Sequence, residues 1–487
     1  MKAHPYRSAM IGVCLLGCGP SLMHAQNWGK LGDGLRPSAR TIFADSVFDR
    51  LLVGGSFRYV VNGPDTIDVM GIAAWDGQHW DSLATRIQTV EFDWQIWVGP
   101  VLRFMRYKGQ LYASGYISTL LPDSTYLSRV GRLNENTMIW EPLECDFYDG
   151  GIAFLNSIVD DTLLFTGTMT QFCDTFPETC VVQYDGEHFR PFEPYYSLPY
   201  NDDNIVNILF RYNGYTYIGG LLTTNTNPLE YFDILRYTGS EWEPMPGFTN
   251  QGNITSALVH DGKLYIAGHF RKYQGAPGNC IAMYDGTTWN DLGGGMLMDL
   301  NDPSVLYPVV TQIAMVNGEL VAVGDFEYAG DAPARNIAKW TGDRWCGYGG
   351  YFDQDIEGMA VWHDTLYVAG SFSTIDGQHV GHVARWDGGT YTETCSTPVG
   401  IADRPWSFLE LRVHPNPSSE HITVQLPSMV APRGVLMITD AIGRVVHRQT
   451  SINPITTIPV SNLEIGTYVL AYTGPDGAVV FERFIKQ

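Results

Sequence analysis

The sequence is poor in basic residues and in long apolar runs. It has 30 Lys and Arg against 52 Asp and Glu, which gives a formal net charge of −22 over 487 residues. Because phosphate binding depends on clustered Lys and Arg, this deficit argues against nucleic acid as a partner. No stretch reaches the ~20 apolar residues that a membrane-spanning helix needs, so we expect no transmembrane segment in the mature chain.

Local catalytic and cofactor motifs are also absent. The sequence has no Gly-x-Ser-x-Gly elbow, no His-Glu-x-x-His zinc motif, no phosphate-binding Gly-x-x-x-x-Gly-Lys loop and no dinucleotide fingerprint. We therefore predict no cofactor and favour a non-enzymatic protein. An enzyme stays the alternative, since catalytic carboxylates supplied by several repeats would not be visible in a linear sequence.

The N-terminus is typical of an exported protein. Two basic residues precede an apolar run from Ala9 to Leu16, which predicts a signal peptide over residues 1–25 with cleavage after Ala25. Two alternatives stay open at this point. One is a membrane anchor, for which the run is short, and the other is lipidation in a weak lipobox that ends at Cys18.

An exported chain can oxidise its cysteines. Removal of the signal peptide leaves six, at positions 145, 173, 180, 280, 346 and 395. Cys173 and Cys180 share one predicted loop and are the predicted disulfide, whereas spacing gives no pairing for the other four. No close pair of cysteines with an adjoining histidine suggests a metal site.

The main positive feature is a cassette that recurs seven times. An apolar strand ends near a Gly, a variable loop follows, and a second apolar strand ends in a pattern close to aromatic-Asp-Gly-x-x-aromatic. A period of roughly 46 to 60 residues indicates stacked units that cannot bury their faces alone. In the seven copies, the strand that ends near a Gly begins at Leu51, Leu111, Leu163, Thr216, Leu264, Leu320 and Leu366.

Each cassette carries turn signals for two hairpins. In the fifth copy, Asp261-Gly262 and Asp285-Gly286 each separate two apolar runs, which predicts type I′ turns. Four antiparallel strands in each of seven repeats predict an all-β fold, a seven-bladed β-propeller over residues 26–398. The aromatic residues that end the cassettes, such as Trp80 and Trp345, are expected to pack between neighbouring blades.

The N-terminal segment has its own resemblance within the chain. Trp28 to Gly34 is similar to Trp289 to Gly295, which lies at the end of a predicted fourth strand. We therefore expect the N-terminus to supply the outer strand of the last blade, so that no strand edge is left unpaired there. Gly389 to Thr394 is the alternative fourth strand, and the sequence leaves this choice open.

Nearly all long connections are expected on one face of the propeller, opposite the tight Gly turns. Variable loops on a rigid scaffold usually carry binding, and aromatic rings beside carboxylates suit a glycan or a protein ligand. Asp299, Asn301 and Asp302 are candidate calcium ligands, without the spacing of an EF-hand. The candidate ligand-binding residues are Trp94, Trp97, Tyr195, Tyr196, Tyr231, Tyr273 and Tyr307.

The cassette stops after Pro398. We expect residues 399–410 to be a linker and residues 411–487 to form a small β-sandwich, because short alternating strands are bounded by Gly, Pro and Asn. This segment resembles the C-terminal sorting domain of the bacterial type IX secretion system. The resemblance implies the type IX machinery as a partner and a secreted, extracellular or outer-membrane-surface location. It rests on Pro415, Asn416, Pro417, Asp440, Gly443, Gly466, Tyr468 and Lys486.

The propeller half more loosely resembles the Kelch and galactose-oxidase-like superfamily. The resemblance rests on segments such as Asn336 to Trp345, and a Kelch double Gly occurs clearly at Gly54-Gly55 and Gly219-Gly220 alone. The copper and Tyr-Cys site of the oxidase has no counterpart. The predicted function is glycan or protein binding through the long-loop face. The alternatives are a secreted carbohydrate-active enzyme with a site at the central channel, and a structural surface-layer or adhesion module.

Overall fold

A computed structural model gives the arrangement of most of the chain. No α-helix occurs in the described residues, and none of their elements is long and apolar enough to be a membrane-spanning helix. The predicted signal peptide lies outside the described residues. These residues are 27–83, 91–92, 95–96, 99–121, 126–143, 147–148, 152–169, 171–172, 179–192, 205–223, 231–245, 248, 252–272, 276–300, 308–389, 393–397, 411–426, 433–440, 444–451, 453–473 and 479–487.

Seven four-stranded antiparallel sheets follow one another along residues 28–397, here the ring. Each has the same strand order, and the prediction of an all-β fold built from such sheets is confirmed. The strands are, for sheet 1, Ala39–Asp45, Arg50–Gly55, Ile72–Trp75 and Trp80–Ser82; sheet 2, Val101–Tyr107, Gln110–Leu120, Tyr126–Asn134 and Ile139–Glu141; sheet 3, Ile152–Val159, Thr162–Met169, Thr179–Tyr184 and Phe189–Pro191; sheet 4, Ile205–Tyr212, Tyr215–Thr223, Tyr231–Tyr237 and Trp242–Pro244; sheet 5, Asn253–His260, Lys263–His269, Ile281–Tyr284 and Trp289–Asn290; sheet 6, Val309–Val316, Glu319–Asp325, Ile337–Trp340 and Trp345–Gly347; sheet 7, Ile356–Trp362, Thr365–Gly370, Val383–Trp386 and Trp28–Lys30.

Short strands decorate the connections, and residues 411–487, here the tail, form two further sheets. The tail sheets share one buried apolar cluster that includes Ile422, Leu436 and Phe484. The decorating strands are Leu35–Arg36 with Tyr59–Asn62 and Asp65–Asp68; Glu91–Phe92 with Gln95–Ile96; Phe147–Tyr148 with Gln171–Phe172; Met296–Leu297 with Tyr328–Ala329 and Ala332–Pro333; and Thr374–Ile375 with Gln378–His379. The tail strands are Arg412–His414, His421–Gln425 and Ile455–Pro459 in one sheet, and Val445–Ser451, Gly434–Thr439, Gly466–Thr473 and Val479–Lys486 in the other.

The first strands of successive sheets contact one another, and the first strand of sheet 7 contacts that of sheet 1. Each first strand has a register shift of one residue, and a β-bulge redirects the side chain of the extra residue. In sheets 3 to 6 that side chain hydrogen-bonds to a backbone carbonyl of the next first strand. The bonds are Asn156 to Asn207 (3.0 Å), Asn207 to Ile254 (2.9 Å), Thr255 to Val310 (2.6 Å) and Thr311 to Ile356 (2.8 Å).

The N-terminal strand closes the order of sheets. Trp28 pairs with Trp386 and Lys30 with Ala384, so this strand is the fourth of sheet 7, as the sequence similarity predicted. Of the alternative strand, Gly389 to Thr394, residues 390–392 lie outside the described residues. Cys395 forms a bridge with Cys346 at the outer edge of sheet 6, and the amide of Ser396 donates to the carbonyl of Trp345 at 2.7 Å. The segment 393–397 therefore extends sheet 6 and does not complete sheet 7.

A disulfide joins Cys346 to Cys395. Sequence spacing gave no pairing for these two cysteines. The predicted disulfide involves Cys173, which lies outside the described residues, and its partner Cys180 is buried. Cys280 is a buried thiol whose sulfur donates to the carbonyl of Pro308 at 3.1 Å. Burial raises the pKa of Cys280 to about 12, so its thiolate is not available as a nucleophile or ligand.

The two kinds of tight turn differ from each other. Asp261 and Gly262 both have positive φ, 48° and 72°, as a type I′ turn requires. In the turn after the third strand Gly286 has positive φ, at 100°, and Asp285 does not. Instead, the Asp285 carboxylate accepts amide hydrogens from Thr287 and Thr288, each at 2.8 Å. The prediction of a type I′ turn was therefore wrong for the second hairpin, where an Asp side chain closes the turn.

The recurrent Trp residues pack between neighbouring sheets, as predicted, and some also hydrogen-bond to the neighbouring sheet. Trp345 of sheet 6 is fully buried, and its indole donates to the carbonyl of Leu292 behind the fourth strand of sheet 5 at 2.6 Å. The same bond recurs at the closure, where Trp80 of sheet 1 donates to Leu31 at 2.8 Å. Buried indoles of this kind need a polar partner. These residues therefore serve the fold and are not available for ligand stacking.

Candidate ligand-binding site

Tyr351 lies on the face opposite the tight turns, where the long connections are expected. It belongs to the connection between sheets 6 and 7, and its residue surface is 55% exposed. Tyr348 in the same connection is 7% exposed and packs in the core beside Trp28. An exposed ring beside a buried one in a single connection indicates that Tyr351 is not needed to fill the core.

The surroundings of Tyr351 hold its ring in place. The Arg335 guanidinium lies 4.0 Å from the ring centroid and also donates to the phenol oxygen. Glu327 pairs with Arg335 at 3.1 Å. The backbone is fixed from sheet 7, because the Tyr351 amide donates to the Asp376 carboxylate and the Asp376 amide donates to the Tyr351 carbonyl, both at 2.9 Å. The ring is therefore a preorganised aromatic surface that faces solvent.

Carboxylates lie on the same side of sheets 6 and 7. Burial raises the pKa of Asp325, and the carboxylates of Asp355 and Glu327 raise it further. Burial also raises the pKa of Glu357 to about 7, against the lowering effect of Arg40, with Asp355 adding to the increase. The ion pair of Glu357 with Arg40 joins the bulge residues of sheets 7 and 1. This cluster can accept hydrogen bonds from ligand hydroxyls, and its Arg40 pair completes the contacts between first strands.

A second buried carboxyl group lies between sheets 4 and 5. Asp233 is 1% exposed, and one of its oxygens accepts the amide hydrogen of Gly252, whereas the other has no hydrogen-bond partner. Burial raises the pKa of Asp233 to about 7. An unpartnered buried carboxyl group is costly when charged, so this residue is protonated at mildly acidic pH.

Most of the predicted ligand-binding residues lie outside the described residues. Tyr231 is the exception: it begins the third strand of sheet 4, pairs with Thr223 and is partly exposed. Of the calcium candidates, Asp299 is described, and Asn301 and Asp302 are not, so the calcium site stays a prediction. The predicted residues outside the described part are Trp94, Trp97, Tyr195, Tyr196, Tyr273 and Tyr307.

In the described part of the chain one group has the residue types of a metal site. It consists of Cys346, Cys395 and Glu393. The disulfide occupies both sulfurs, which leaves no thiolate to bind a metal. This group is therefore a structural staple at the outer edge of sheet 6.

The opposite face has a shallow cleft between sheets 5 and 6. Its volume is about 280 Å³, and its walls include Tyr265, Met283, Met315 and Trp340. Asp261, Thr341 and Gly342 of the tight turns also line it. The cleft is thus on the tight-turn face, where the sequence gave no reason to expect a ligand.

The sorting residues of the tail are mainly structural. The side-chain nitrogen of Asn416 donates to the Arg483 carbonyl, and its side-chain oxygen accepts from the Ile485 backbone amide, both at 2.9 Å. The Asn416 side chain therefore holds the last strand in place. Tyr468 is 6% exposed and stacks on Phe484 at 5.6 Å. Pro415 and Pro417 flank Asn416, and Gly466 begins the strand of Tyr468.

Two other sorting residues also have internal contacts. The Asp440 carboxylate accepts the Arg444 amide hydrogen at 2.9 Å. Lys486 is 6% exposed although it is charged. Gly443 lies outside the described residues. Tyr468 and Lys486 are thus buried parts of the tail, whereas Pro415, Asn416 and Pro417 are exposed.

Comparison with known families identifies the tail. Residues 412–487 match the family model of the secretion system C-terminal sorting domain. The tail is thus a type IX sorting domain, and it directs the protein through the type IX secretion system to the cell surface or the extracellular space. A search of curated proteins by sequence found no match.

Solved structures give distant similarities over most of the chain. PorZ, a surface component of the type IX secretion system of Porphyromonas gingivalis, is 12% identical, with a TM-score of 0.38, over 90% of this chain and 58% of PorZ. The extracellular domain of the two-component system BT4673 from B. thetaiotaomicron is 11% identical, with a TM-score of 0.39, over 92% and 56%. Trypanosoma rangeli sialidase is 10% identical, with a TM-score of 0.33, over 94% and 89%.

The chain therefore spans little more than half the length of the first two of these structures. Similarities at this level carry no statement about what this chain binds or catalyses.

Proposed function

We propose that the protein is a secreted or surface-displayed seven-bladed β-propeller that binds a glycan through its long-loop face. In this proposal residues 1–25 are the signal peptide and residues 26–398 the propeller. Residues 399–410 are a linker, and residues 411–487 form a β-sandwich that serves export. The seven sheets of the ring, each with its first strand against the next, support the blade count. A shared apolar cluster between the two tail sheets supports the sandwich.

The observation that carries the binding function is Tyr351. It is exposed, stacked on Arg335 and fixed by two backbone contacts with Asp376. A rigid aromatic ring offers a large contact area at a low cost in conformational entropy. The apolar face of a sugar ring can stack on Tyr351, and the carboxylates of Asp325 and Asp355 can accept hydrogen bonds from its hydroxyls.

The test is glycan-array binding by the secreted full-length chain. For the bound glycan, Tyr351→Ala should weaken binding at least about tenfold, a loss of about 1.4 kcal/mol. Tyr215→Ala is the matched control, because Tyr215 is 41% exposed and lies on the tight-turn face. Neither variant should lower the free energy of unfolding by more than about 1 kcal/mol. A chain that binds no glycan, or a Tyr351→Ala variant that binds as the wild type does, would contradict the proposal, and a protein ligand would then be sought.

A secreted carbohydrate-active enzyme is the second candidate. The observation that favours it is the raised pKa of Glu357 beside Asp355, because a carboxyl group that stays protonated near neutral pH can act as a general acid. The ion pair with Arg40 favours a structural role instead. Incubation of the bound glycan with the full chain should therefore release no reducing sugar. Release that is abolished by Glu357→Gln would establish the enzyme.

A further inference from the structure

Two arginines of sheet 2 have aromatic partners and no acidic ones. The Arg103 guanidinium lies 5.9 Å from the ring centroid of Phe154, and that of Arg129 lies 5.7 Å from the ring of Tyr116. Neither forms an ion pair or a hydrogen bond with a carboxylate anywhere in the described part of the chain. This contrasts with Arg132 of the same sheet, which pairs with Glu141 at 2.9 Å.

The position of Arg103 in the sheet differs in its use from the equivalent positions of sheets 5 and 6. It directly follows the bulge of the first strand of sheet 2. The equivalent residue of sheet 5, Ser256, accepts the Ile313 amide of the next sheet at 3.2 Å, and the equivalent of sheet 6, Gln312, bonds the backbone of Met359. At this position sheets 5 and 6 use a short or amide side chain to join neighbouring sheets. Arg103 provides a cation there instead.

The surroundings of the two arginines disfavour a positive charge that has no anionic partner. Burial lowers the pKa of Arg103, and no carboxylate among the described residues opposes that effect. The Nε atom of Arg129 is buried and has no hydrogen-bond partner. A desolvated guanidinium with unused donors costs free energy that a bound anion would recover.

The two arginines lie on the long-loop half of sheet 2. Arg103 pairs with Ser114, and Ser114 pairs with Val130, the neighbour of Arg129. The backbones of Arg103 and Arg129 are therefore two strands apart, about 10 Å at the usual strand spacing. An extended ligand that lies across the sheet can reach both.

We propose that the long-loop face at sheets 2 and 3 binds the carboxylate of an acidic glycan, with Arg103 as the main contact and Arg129 as the second. A guanidinium matches a carboxylate through two parallel N–H···O bonds. The acidic residues elsewhere in the ring are screened beyond about 8 Å at physiological salt, so they do not prevent a local contact. The proposal rests on the proposed glycan-binding function and names the chemical class of its ligand.

The experiment compares one sugar in two charge states. Binding of oligogalacturonate and of its methyl ester to the full-length chain is measured by calorimetry, since esterification removes the charge and keeps the sugar. We expect the acid to bind at least about tenfold more tightly than the ester, which is a typical effect of one charge-assisted contact. Inorganic sulfate should compete with the acid and not with the ester.

Variants assign the effect to Arg103. Arg103→Gln should bind acid and ester equally. Arg103→Lys should keep part of the preference for the acid, because lysine keeps the positive charge and cannot form the two parallel hydrogen bonds of a guanidinium. Arg211→Gln is the matched control, since Arg211 is half exposed and pairs with Asp160 on the tight-turn face. If Arg103→Gln does not fold, binding of acid and ester by Arg103→Lys and by the wild type still tests whether Arg103 contacts the carboxylate.

Two outcomes would overturn the inference and are distinct from failure of the proposed function. Equal binding of acid and ester by the wild type would refute the acidic class and leave glycan binding in place. A preference for acid that survives in Arg103→Gln would refute the site. Absence of binding to the acid, the ester and every glycan of an array would refute the proposed function itself.

Discussion

The ring and the tail differ sharply in charge. Residues 411–487 contain six Lys and Arg and five Asp and Glu, which leaves 24 basic and 47 acidic residues for the rest of the chain. The acidic surplus therefore belongs to the part that precedes the tail. A strongly charged surface keeps a protein soluble and apart from other copies. The nearly neutral tail lacks that surplus, and both regions expose apolar side chains, such as Ile465 at 83% in the tail and Val47 at 58% in the ring.

The two regions use their most recognisable residues in the same way. The Trp residues of the ring donate hydrogen bonds between sheets, and Asn416 and Tyr468 of the tail fix the last strand. In both regions the residues that identify the sequence pattern build the fold. Exposed side chains with few structural duties, such as Tyr351, are therefore the better guide to binding.

The largest expected effect is on the closure of the ring. Trp28→Ala should lower the free energy of unfolding by about 4 kcal/mol, the usual cost of truncating a buried Trp. Trp28 is 1% exposed, packs on Phe352 and Trp386, and donates to the Gly349 carbonyl at 2.9 Å. Urea denaturation of the full chain measures the change. Tyr215→Ala should change the same quantity by less than about 1 kcal/mol, and an equal loss for both variants would refute the role of the clasp.

A smaller effect is expected in the tail. Asn416→Ala removes two hydrogen bonds to the last strand, a loss of about 1 to 2 kcal/mol, so a larger share of the protein should stay in the periplasm. The measurement is the ratio of surface to periplasmic protein, with Ser419→Ala, an exposed neighbour, as control. The unfolding temperature of the ring should not change. Normal surface delivery of Asn416→Ala would show that the clasp is not needed for sorting.

The smallest effect is a dependence of stability on pH. The pKa of Asp233 is raised from 3.8 to about 7 by burial, so the folded state binds more protons than the unfolded state between these values. Stability from this group is therefore present at low pH and declines as the pH rises towards and through 7. Between pH 6 and pH 8 the loss is about 1.4 kcal/mol.

Asp233→Asn isolates that effect from other titrating groups. Burial lowers the pKa of His269 and His382, and these residues change stability in the opposite direction, mainly below pH 6.5. The stability of the variant should therefore fall less than that of the wild type from pH 6 to pH 8 in urea denaturation. Identical pH profiles for the two proteins would show that Asp233 is not held protonated.

Much of the ring could be predicted from the sequence, because each strand and tight turn is specified by residues that are close together in the chain. Apolar runs bounded by Gly turns repeat along the chain, and the similarity of Trp28 to Trp289 already pointed to the closing strand. The Cys346–Cys395 disulfide could not be predicted, because it joins the fourth strand of sheet 6 to a segment beyond sheet 7. No spacing rule relates residues whose contact depends on the order of the sheets.

The candidate site was less predictable, because its contacts also depend on which sheets are neighbours. Tyr351 is one of many aromatic residues in the connections, and its sequence neighbours do not distinguish it from the buried Tyr348. Its exposure depends on Arg335 from sheet 6 and Asp376 from sheet 7. Arg103 resembles any arginine of a strand until the surrounding sheets show that its neighbour is the Phe154 ring and that none of the described carboxylates pairs with it.

The most direct measurement of the central claim is hydrogen–deuterium exchange of the full chain with and without a bound glycan. Binding through the long-loop face predicts slower exchange in residues 348–355 and 371–382, with no change in the tight turns at 213–214 and 261–262. Slower exchange confined to those turns, or to the walls of the cleft between sheets 5 and 6, would place the ligand on the opposite face and contradict the account.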